Sequence, residues 1–410
     1  MTVQVSYKGG PINGRVHISG SKSISNRALI LNALSVTPQV ISNLSDSDDT
    51  QALQRLLSQS DGVFDAHHAG TTFRFMTAYS AMHSGEQVLT GSEQMQQRPI
   101  GPLVEALNEI GAAITYQNAK GYPPLKIGAF GSQKKREITV QADISSQFLS
   151  ALCMIAPTLP EGLVIKLAGA LVSEPYLLMT LQMMASFGVV SSYVDNTIVI
   201  QSQIYKSIAY AVESDWSSAG YLFAIAALAQ DSEIILSHFS NAGLQADAKI
   251  MEFCHQFGVE ATLSSDKTLR LRSSDRFASS IDHNFITHPD LTQTIAVICA
   301  AKGISIKYSG LKTLYIKETN RVEALKIELN KVGVTMTESE DAAFEIEQKG
   351  KAYIQEPTFD TYQDHRMAMC LAPLGIIGPI TMRNPEVVSK SYPNYWRDLE
   401  QLGFSLDWSS

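Results

Sequence analysis

A recurring pattern of hydrophobic and polar positions gives the first indication of the fold. Helical stretches rich in Leu, Met or Ala end at a glycine and are followed by a β-like run, most clearly over residues 103–111. Glycine suits these positions because the residue that follows a helix often adopts the left-handed conformation. Equivalent stretches end at Gly62, Gly111, Gly188, Gly258, Gly333 and Gly403.

The spacing of these glycines predicts the domain organisation. They are 49, 77, 70, 75 and 70 positions apart, which is too long for a solenoid repeat and suits units of several strands and two helices. Chance is the alternative, because helix–glycine–strand junctions are common in α/β proteins. Three copies end before about residue 215 and three lie after it, and a chain of 410 residues favours two domains. We expect two domains of three similar units each, with an active site in the cleft between them.

Composition and charge exclude several classes of protein. The chain is 45% hydrophobic and 18% charged, with a formal net charge of -8, which argues for a globular protein and against general nucleic-acid binding. No apolar run is long enough for a membrane span, and the first residues lack the apolar core of a signal peptide. The four cysteines lie far apart in apolar surroundings, as expected for free thiols in the cytoplasm.

Cations and hydroxyls stand where helices are predicted to begin. Residues 20–27 combine a glycine, three serines, Lys22 and Arg27 ahead of an apolar helix. A helix N-terminus presents unpaired N–H groups and the positive end of the helix dipole, so these stretches predict phosphate or carboxylate sites. Ordinary helix capping is the alternative. Two further helix starts share this character through Gly70, Arg74, Ser145, Ser146 and Gln147.

The second half of the chain supplies carboxylates among cations. Asp290 precedes a helix predicted over 291–301, where an N-cap is its alternative role. Glu318 and Arg321 would share one face of a helix, either in a site or in an exposed ion-pair ladder. Arg366 stands in a first helical turn, where a cation opposes the helix dipole unless an anion binds there. The full set of cations suits a substrate with several anionic groups and acid–base chemistry: Lys22, Arg27, Arg74, Arg98, Lys317, Arg321, Arg366 and Lys390.

Taken together, these motifs resemble the 5-enolpyruvylshikimate-3-phosphate synthases, a family of enolpyruvyl transferases. The resemblance covers nearly the whole chain, and the motifs occur in the family's order. They are Gly20-Ser21-Lys22-Ser23 through Arg27, Ala69-Gly70-Thr71, Arg98-Pro99-Ile100-Gly101, Ser145-Ser146-Gln147-Phe148, Ser173 with Pro175-Tyr176, Pro289-Asp290, Lys317-Glu318-Thr319, Arg321, Asp364-His365-Arg366-Met367-Ala368-Met369 and Lys390.

The resemblance implies a mixed α/β, two-domain enolpyruvyl-transferase fold. Each domain would contain three βαβαββ-type units related by pseudo-threefold symmetry. The N-terminal domain would span residues 16–214, and the C-terminal domain would combine 1–15 with 215–410. A monomer is expected, without nucleic acid or membrane partners.

The resemblance also implies the reaction. The carboxyvinyl group of phosphoenolpyruvate would pass to the 5-hydroxyl of shikimate 3-phosphate, with loss of phosphate from a tetrahedral intermediate, on the shikimate pathway to chorismate and the aromatic amino acids. No metal or organic cofactor would be needed. Asp290 would accept or orient the hydroxyl proton, and Glu318 with Lys22 would handle the proton at the methylene carbon. The resemblance leaves open which of Lys22, Glu318 and His365 moves each proton.

The implied substrate contacts are drawn from both domains. Shikimate 3-phosphate would meet Lys22, Ser23, Arg27, Ser145, Ser146, Ser173, Tyr176, Asp290 and Lys317. Phosphoenolpyruvate would meet Lys22, Gly70, Arg98, Gln147, Arg321, Arg366 and Lys390.

Four positions depart from the family pattern, and two other functions remain open. His68, Glu174, Thr313 and Asn320 replace the more usual Asn, Lys, Asn and Asp. One alternative is the related transferase that acts on UDP-N-acetylglucosamine, which generally relies on a loop cysteine; here Met95-Gln96-Gln97 fills the region before Arg98. The other is a non-catalytic anion-binding relative, which would not need Asp290 or Glu318.

Overall fold

A computed structural model describes residues 1–60, 62–83, 85–141, 145–169, 171, 174–240, 243–338, 344–348 and 356–409. The chain divides into two units, each with its own contacts. The N-terminal unit is Gly20–Val212, and the C-terminal unit combines Met1–Ser19 with Glu213–Ser410. The sequence places the corresponding boundaries at residues 16 and 215, whereas the structure begins the two stretches at Gly20 and Glu213.

The strands are short and are distributed along the whole chain. They are β1 (Thr2–Tyr7), β2 (Ile12–Val16), β3 (Ile41–Ser42), β4 (Val63–Asp65), β5 (Gln87–Thr90), β6 (Ala113–Tyr116), β7 (Leu125–Gly128), β8 (Glu137–Gln141), β9 (Leu163–Ala168), β10 (Ser191–Val194), β11 (Thr197–Ile200), β12 (Tyr210–Ala211), β13 (Ser232–Leu236), β14 (Val259–Leu263), β15 (Leu269–Ser273), β16 (Ser280–Asn284), β17 (Ser305–Ser309), β18 (Val334–Glu338), β19 (Phe344–Gln348), β20 (Thr358–Phe359), β21 (Ile380–Arg383) and β22 (Phe404–Ser409).

The helices alternate with these strands. They are α1 (Lys22–Ala33), α2 (Asp48–Leu57), α3 (Gly70–Ala81), α4 (Glu93–Gln96), α5 (Gly101–Ile110), α6 (Ser146–Ile155), α7 (Glu174–Ser186), α8 (Trp216–Leu228), α9 (Ile250–Phe253), α10 (Thr292–Lys302), α11 (Arg321–Asn330), α12 (His365–Leu371) and α13 (Tyr395–Gln401). None of the helices in the described ranges combines the length and apolar character needed to cross a membrane.

One sheet topology recurs in both units. In the order β4–β5–β7–β6, the first pair is parallel and the other two pairs are antiparallel, so the chain follows a βαβαββ path. Within the described residues, four more sheets repeat this order: β8–β9–β11–β10, β2–β13–β15–β14, β16–β17–β19–β18 and β20–β21–β1–β22. In the last of these, β1 lies third, between β21 and β22, so the start of the chain completes the final unit.

The N-terminal unit contains one reduced copy of this topology. Strands β12 and β3 form a parallel pair over two residues each, and α1 and α2 flank β3 along the chain. Among the described residues this pair has no antiparallel strands added to it. The predicted symmetry of three units is therefore complete in the sheets of the C-terminal unit and partial in those of the N-terminal unit.

Apolar helices fill the core of each unit. Helix α8 buries eleven of its thirteen residues, and it packs against α10, which also contacts α12. In the N-terminal unit α3 packs against both α1 and α6. A helix that is apolar on every side is stable only when neighbours surround it. Polar side chains at the starts of these helices are therefore the first candidates for chemistry.

Candidate active site

A buried arginine organises the polar residues of the C-terminal unit. Arg321 is the first residue of α11, and its side chain is 2% exposed. Its Nε lies 2.7 Å from Asp364 Oδ2, while its terminal nitrogens lie 3.1 Å from Asp290 Oδ1 and 2.8 Å from Glu318 Oε2. Burial acts to lower the pKa of Arg321, but these three carboxylates outweigh it and raise the pKa above its usual value. The guanidinium therefore stays charged.

Two further cations close the cluster around Asp290 and Glu318. A terminal nitrogen of Arg366 lies 2.8 Å from Asp290 Oδ2, and the Lys390 Nζ lies 2.9 Å from Glu318 Oε1. Each carboxylate therefore bridges Arg321 and a second cation. These four outer side chains keep 11–17% of their surface exposed, compared with 2% for Arg321.

Lys317 belongs to the same electrostatic environment. Burial lowers its pKa, and the nearby Arg321 and Arg366 lower it further, whereas Asp290 and Glu318 raise it. The net direction is downward. An anion that bound beside Lys317 would offset part of the repulsion between this lysine and the two arginines.

The local backbone differs from the predicted one in two places. The expectation that Glu318 shares a helix with Arg321 is wrong, because the Asn320 side chain accepts from the Glu323 N–H at 3.2 Å and starts α11 after Glu318. Asp290 lies in a 3-10 turn, Pro289–Leu291, ahead of α10, and its carboxylate bonds to arginines. Asn320, a departure from the family pattern, thus has a capping role.

In the sequence, Asp364 stands out only as part of a longer family motif. It caps α12, since its Oδ1 accepts from the Arg366 N–H at 2.9 Å. Its side chain is 0% exposed and also binds Arg321, so one residue starts α12 and orients the guanidinium. A cap followed two residues later by a first-turn cation was the available signal.

Asp247 is a second residue that the sequence did not single out. It is 5% exposed, and the Ser217 hydroxyl donates to its Oδ2. Burial and the neighbouring charge of Asp290 raise its pKa to about 7, against the opposing effect of Arg366. On the same helix as Ser217, the buried Tyr221 hydroxyl accepts from Arg366 at 3.3 Å. Nothing in the local sequence pattern marks these residues.

In the N-terminal unit, Gly70 brings two arginines together. A Cβ at this position would lie 2.3 Å from a terminal nitrogen of Arg98 and 2.7 Å from one of Arg74. Arg74 donates to the Gly70 carbonyl at 2.8 Å and stacks over the Phe148 ring at 5.5 Å. Two guanidiniums at the start of α3 create a strongly positive site.

The start of α6 lies close to the start of α3. The Gln147 amide donates to the Thr71 hydroxyl at 3.0 Å. The Ser145 hydroxyl caps α6 by accepting from the Gln147 N–H at 3.3 Å, and Ser146 is the first residue of the helix. The structure therefore places Gln147 with Gly70, as a shared anion site would require.

Arg27 differs from the other predicted contacts. It is 2% exposed and donates to Thr180 Oγ1 at 2.7 Å, Ser150 Oγ at 2.8 Å and the Ser23 carbonyl at 2.9 Å. Its guanidinium also lies 5.9 Å from the Tyr176 ring centroid. Burial lowers the pKa of Arg27 to about 10, so it remains charged at neutral pH. It joins α1, α6 and α7.

Lys22 and Ser23 start α1 and are both half-buried, beside the residues that hold Arg27. Ser173 lies outside the described residues. His68, where the family usually has Asn, bonds through Nδ1 to the Ser92 hydroxyl at 2.7 Å. No group of three or more His, Cys, Asp and Glu side chains in the described ranges is arranged to hold a metal ion.

Comparisons with known proteins identify the family. A family model described as EPSP synthase (3-phosphoshikimate 1-carboxyvinyltransferase) matches residues 6–60 and 53–399. A curated 3-phosphoshikimate 1-carboxyvinyltransferase of Bacteroides fragilis strain YCH46 is 42% identical over 397 residues, covering 96% of each chain. One from Photobacterium profundum is 34% identical, covering 95% of this chain and 96% of its own. A solved EPSP synthase of Acinetobacter baumannii has the same fold, with a TM-score of 0.80 at 18% identity and coverage of 99% and 100%. The chain belongs to the EPSP synthase family.

Proposed function

We propose that this chain is a 3-phosphoshikimate 1-carboxyvinyltransferase that uses the residues described above. The 5-hydroxyl oxygen of shikimate 3-phosphate would bond to C2 of phosphoenolpyruvate while a proton adds to C3. The resulting tetrahedral intermediate would lose phosphate from C2 and a proton from C3, which restores the double bond. Both substrates are multiply charged, so positioning and charge neutralisation dominate the chemistry.

One observation carries this proposal: Asp290 and Glu318, the two acid–base candidates, converge on Arg321. Asp290 would take or orient the hydroxyl proton, and its two guanidinium partners fix the direction of its oxygens. Glu318, with Lys22, would handle the proton at C3. A relative that only bound anions would not need Asp290 or Glu318.

The cations of each unit supply the proposed substrate contacts. Lys390 spends one of its three N–H donors on Glu318, so it can bind an anion without losing that bond. Phosphoenolpyruvate would use Lys22, Gly70, Arg98, Gln147, Arg321, Arg366 and Lys390. Shikimate 3-phosphate would use Lys22, Ser23, Arg27, Ser145, Ser146, Ser173, Tyr176, Asp290 and Lys317.

The transferase that acts on UDP-N-acetylglucosamine receives no support from the cysteines. All four are buried. Burial raises the pKa of Cys153 and of Cys299 to about 12 and that of Cys254 to about 11, so these thiols stay protonated and unreactive at neutral pH. A loop cysteine acting as an acid has no counterpart here.

The test compares acceptors. Purified protein is mixed with phosphoenolpyruvate and either shikimate 3-phosphate or UDP-N-acetylglucosamine, and phosphate release is measured. We expect release with shikimate 3-phosphate only; release with neither would refute the proposed function. We also propose a cytoplasmic monomer, which would elute in size exclusion at the 44.8 kDa of one chain.

A further inference from the structure

A strained turn immediately precedes Asp364. The Asp364 N–H donates to the Thr361 carbonyl at 2.8 Å, and the two residues between them, Tyr362 and Gln363, have φ of +54° and +55°. This is the hydrogen bond and the sign of φ of a type I′ turn, which normally requires Asn-Gly at its centre. Residues with a Cβ resist the left-handed region. Contacts elsewhere must therefore hold this turn in place.

Glu328 on α11 provides such a contact. Its side chain is 0% exposed, and its Oε1 accepts from the Tyr362 hydroxyl at 2.6 Å. Its Oε2 accepts from the Asp360 N–H at 3.1 Å and from Lys331 Nζ at 2.8 Å. Lys331 therefore neutralises the charge of Glu328. The tyrosine hydroxyl and the Asp360 amide attach the segment around the turn to Glu328.

The same helix holds the segment at a second point. Glu328 follows Arg321 by seven positions, so the two side chains lie on one face of α11, two turns apart. Arg321 forms an ion pair with Asp364 at the end of the turn, and Glu328 accepts a hydrogen bond from Tyr362 in its middle. Asp364 in turn caps α12, whose second residue is Arg366. The turn therefore determines where Arg366 stands relative to Asp290.

We propose that Tyr362 is a positioning residue: its bond to Glu328 holds the left-handed turn and thereby sets Arg366 and Asp364 around Asp290 for carboxyvinyl transfer. This inference rests on the proposed function. The hydroxyl lies outside the arginine cluster, and it acts through the backbone of the turn. Loss of the hydroxyl would leave Glu328 Oε1 without a donor among the described residues and would release the turn toward ordinary φ values.

The test compares Tyr362→Phe with Tyr205→Phe. Tyr205 is a buried tyrosine whose hydroxyl donates to the Met154 carbonyl at 2.7 Å, so its variant loses one comparable bond in the other unit. We expect Tyr362→Phe to lower kcat by up to about 10²-fold, the scale of a small misplacement, and Tyr205→Phe to leave it unchanged. Hydrogen exchange of the amides in residues 360–366 should quicken only in Tyr362→Phe.

A second variant separates positioning from simple loss of stability. Glycine accepts the left-handed conformation at the third position of such a turn, so Gln363→Gly should recover most of the lost kcat when combined with Tyr362→Phe. A Tyr362→Phe enzyme that keeps its kcat within about twofold, or a double variant without recovery, would overturn the proposal. If Tyr362→Phe alone does not fold, the kcat of the double variant still tests whether the turn positions the site. If the wild type releases no phosphate, the proposed function fails, while exchange in 360–366 still tests the role of Tyr362.

Discussion

Arg321 and Asp364 form an ion pair in which neither side chain is more than 2% exposed, with Nε and Oδ2 2.7 Å apart. A buried pair of this kind orients groups more than it stabilises the fold, because desolvation offsets most of the attraction. Here the orientation has a visible consequence. With Nε bound to Asp364, the terminal nitrogens of Arg321 reach Asp290 and Glu318, the two candidates for proton transfer.

Asp290→Asn tests the proposed base. The substitution preserves shape but removes the charge that bridges Arg321 and Arg366. We expect the rate of phosphate release to fall by about 10²–10⁴-fold, the usual contribution of a positioned acid or base, while circular dichroism remains that of the folded protein. Glu233→Gln is the matched control, because Glu233 also bridges two arginines, Arg270 and Arg272, on the surface. Equal activity of the two variants would remove Asp290 from the mechanism.

The order of the helix ends and helix starts along the chain could be predicted from the sequence, because glycine and capping residues act locally. The polar helix starts and the repeat of units with several strands and two helices follow from that chemistry, whereas the βαβαββ order was implied only by the resemblance to the family. The reduced sheet of β3 and β12 was not predicted, since pairing over two residues leaves almost no alternation to detect.

The partners of each side chain could not be read from the sequence. Arg27 and Lys22 look alike as cations at a helix start, yet Arg27 is buried among hydroxyls and carbonyls, and Lys22 remains half-buried. Asp247 could not be predicted, because its pKa is raised by burial and by Asp290, which lies far away along the chain. Burial and long-range charge are properties of the packed unit.

Gly70→Ala tests the arginine pair of the N-terminal unit. The new Cβ would lie 2.3 Å from Arg98 and 2.7 Å from Arg74, so both guanidiniums must move. We expect the KM for phosphoenolpyruvate to rise by at least about tenfold, which corresponds to the loss of about 1.4 kcal/mol of a charge-assisted bond. Gly131→Ala is the control, since a Cβ there would meet nothing within 4 Å. An unchanged KM would place Gly70 outside the phosphoenolpyruvate site.

Asp247→Asn tests the raised pKa through stability. The folded pKa of about 7 exceeds the ordinary value of 3.8, so the folded protein binds the proton more tightly than the unfolded chain. This contribution to the free energy of unfolding is complete below about pH 4 and is lost as the pH rises to about 7. Wild type should therefore lose stability relative to Asp247→Asn between pH 4 and 7, as measured by denaturant melts at each pH.

Asp266→Asn supplies a contrast of opposite sign. Hydrogen bonds from Ser264 and Thr268 lower the pKa of Asp266, so its contribution is present at neutral pH and is lost as the pH falls. The stability difference between wild type and Asp266→Asn should thus shrink on acidification.

A flat difference between wild type and Asp247→Asn across pH 4–7 would show that Asp247 titrates normally.

Arg27→Ala and Lys22→Ala should separate structure from ligand binding at the start of α1. Arg27 donates to side chains of α6 and α7, so its loss leaves the hydroxyls of Ser150 and Thr180 bonded only to each other or to nearby backbone and opens a cavity. The cost should be about 1–3 kcal/mol, which lowers the melting temperature by roughly 2–4 °C per kcal/mol. Lys22 is half-buried at the first helical position, and Lys22→Ala should change the melting temperature of the free protein little.

Lys22→Ala should differ from wild type mainly when ligand is present. Shikimate 3-phosphate stabilises a protein that binds it by mass action, so thermal melts with saturating ligand report the affinity that remains. We expect Lys22→Ala to lose most of the stabilisation seen in wild type, because a direct charge-assisted contact is removed. Arg27→Ala should melt earlier with or without ligand, and it should also gain less stability from shikimate 3-phosphate, because Arg27 is a proposed contact as well as a structural residue. If Lys22→Ala gains as much stability from ligand as wild type does, Lys22 does not bind the substrate, and the anion site at this helix start must be assigned to other groups.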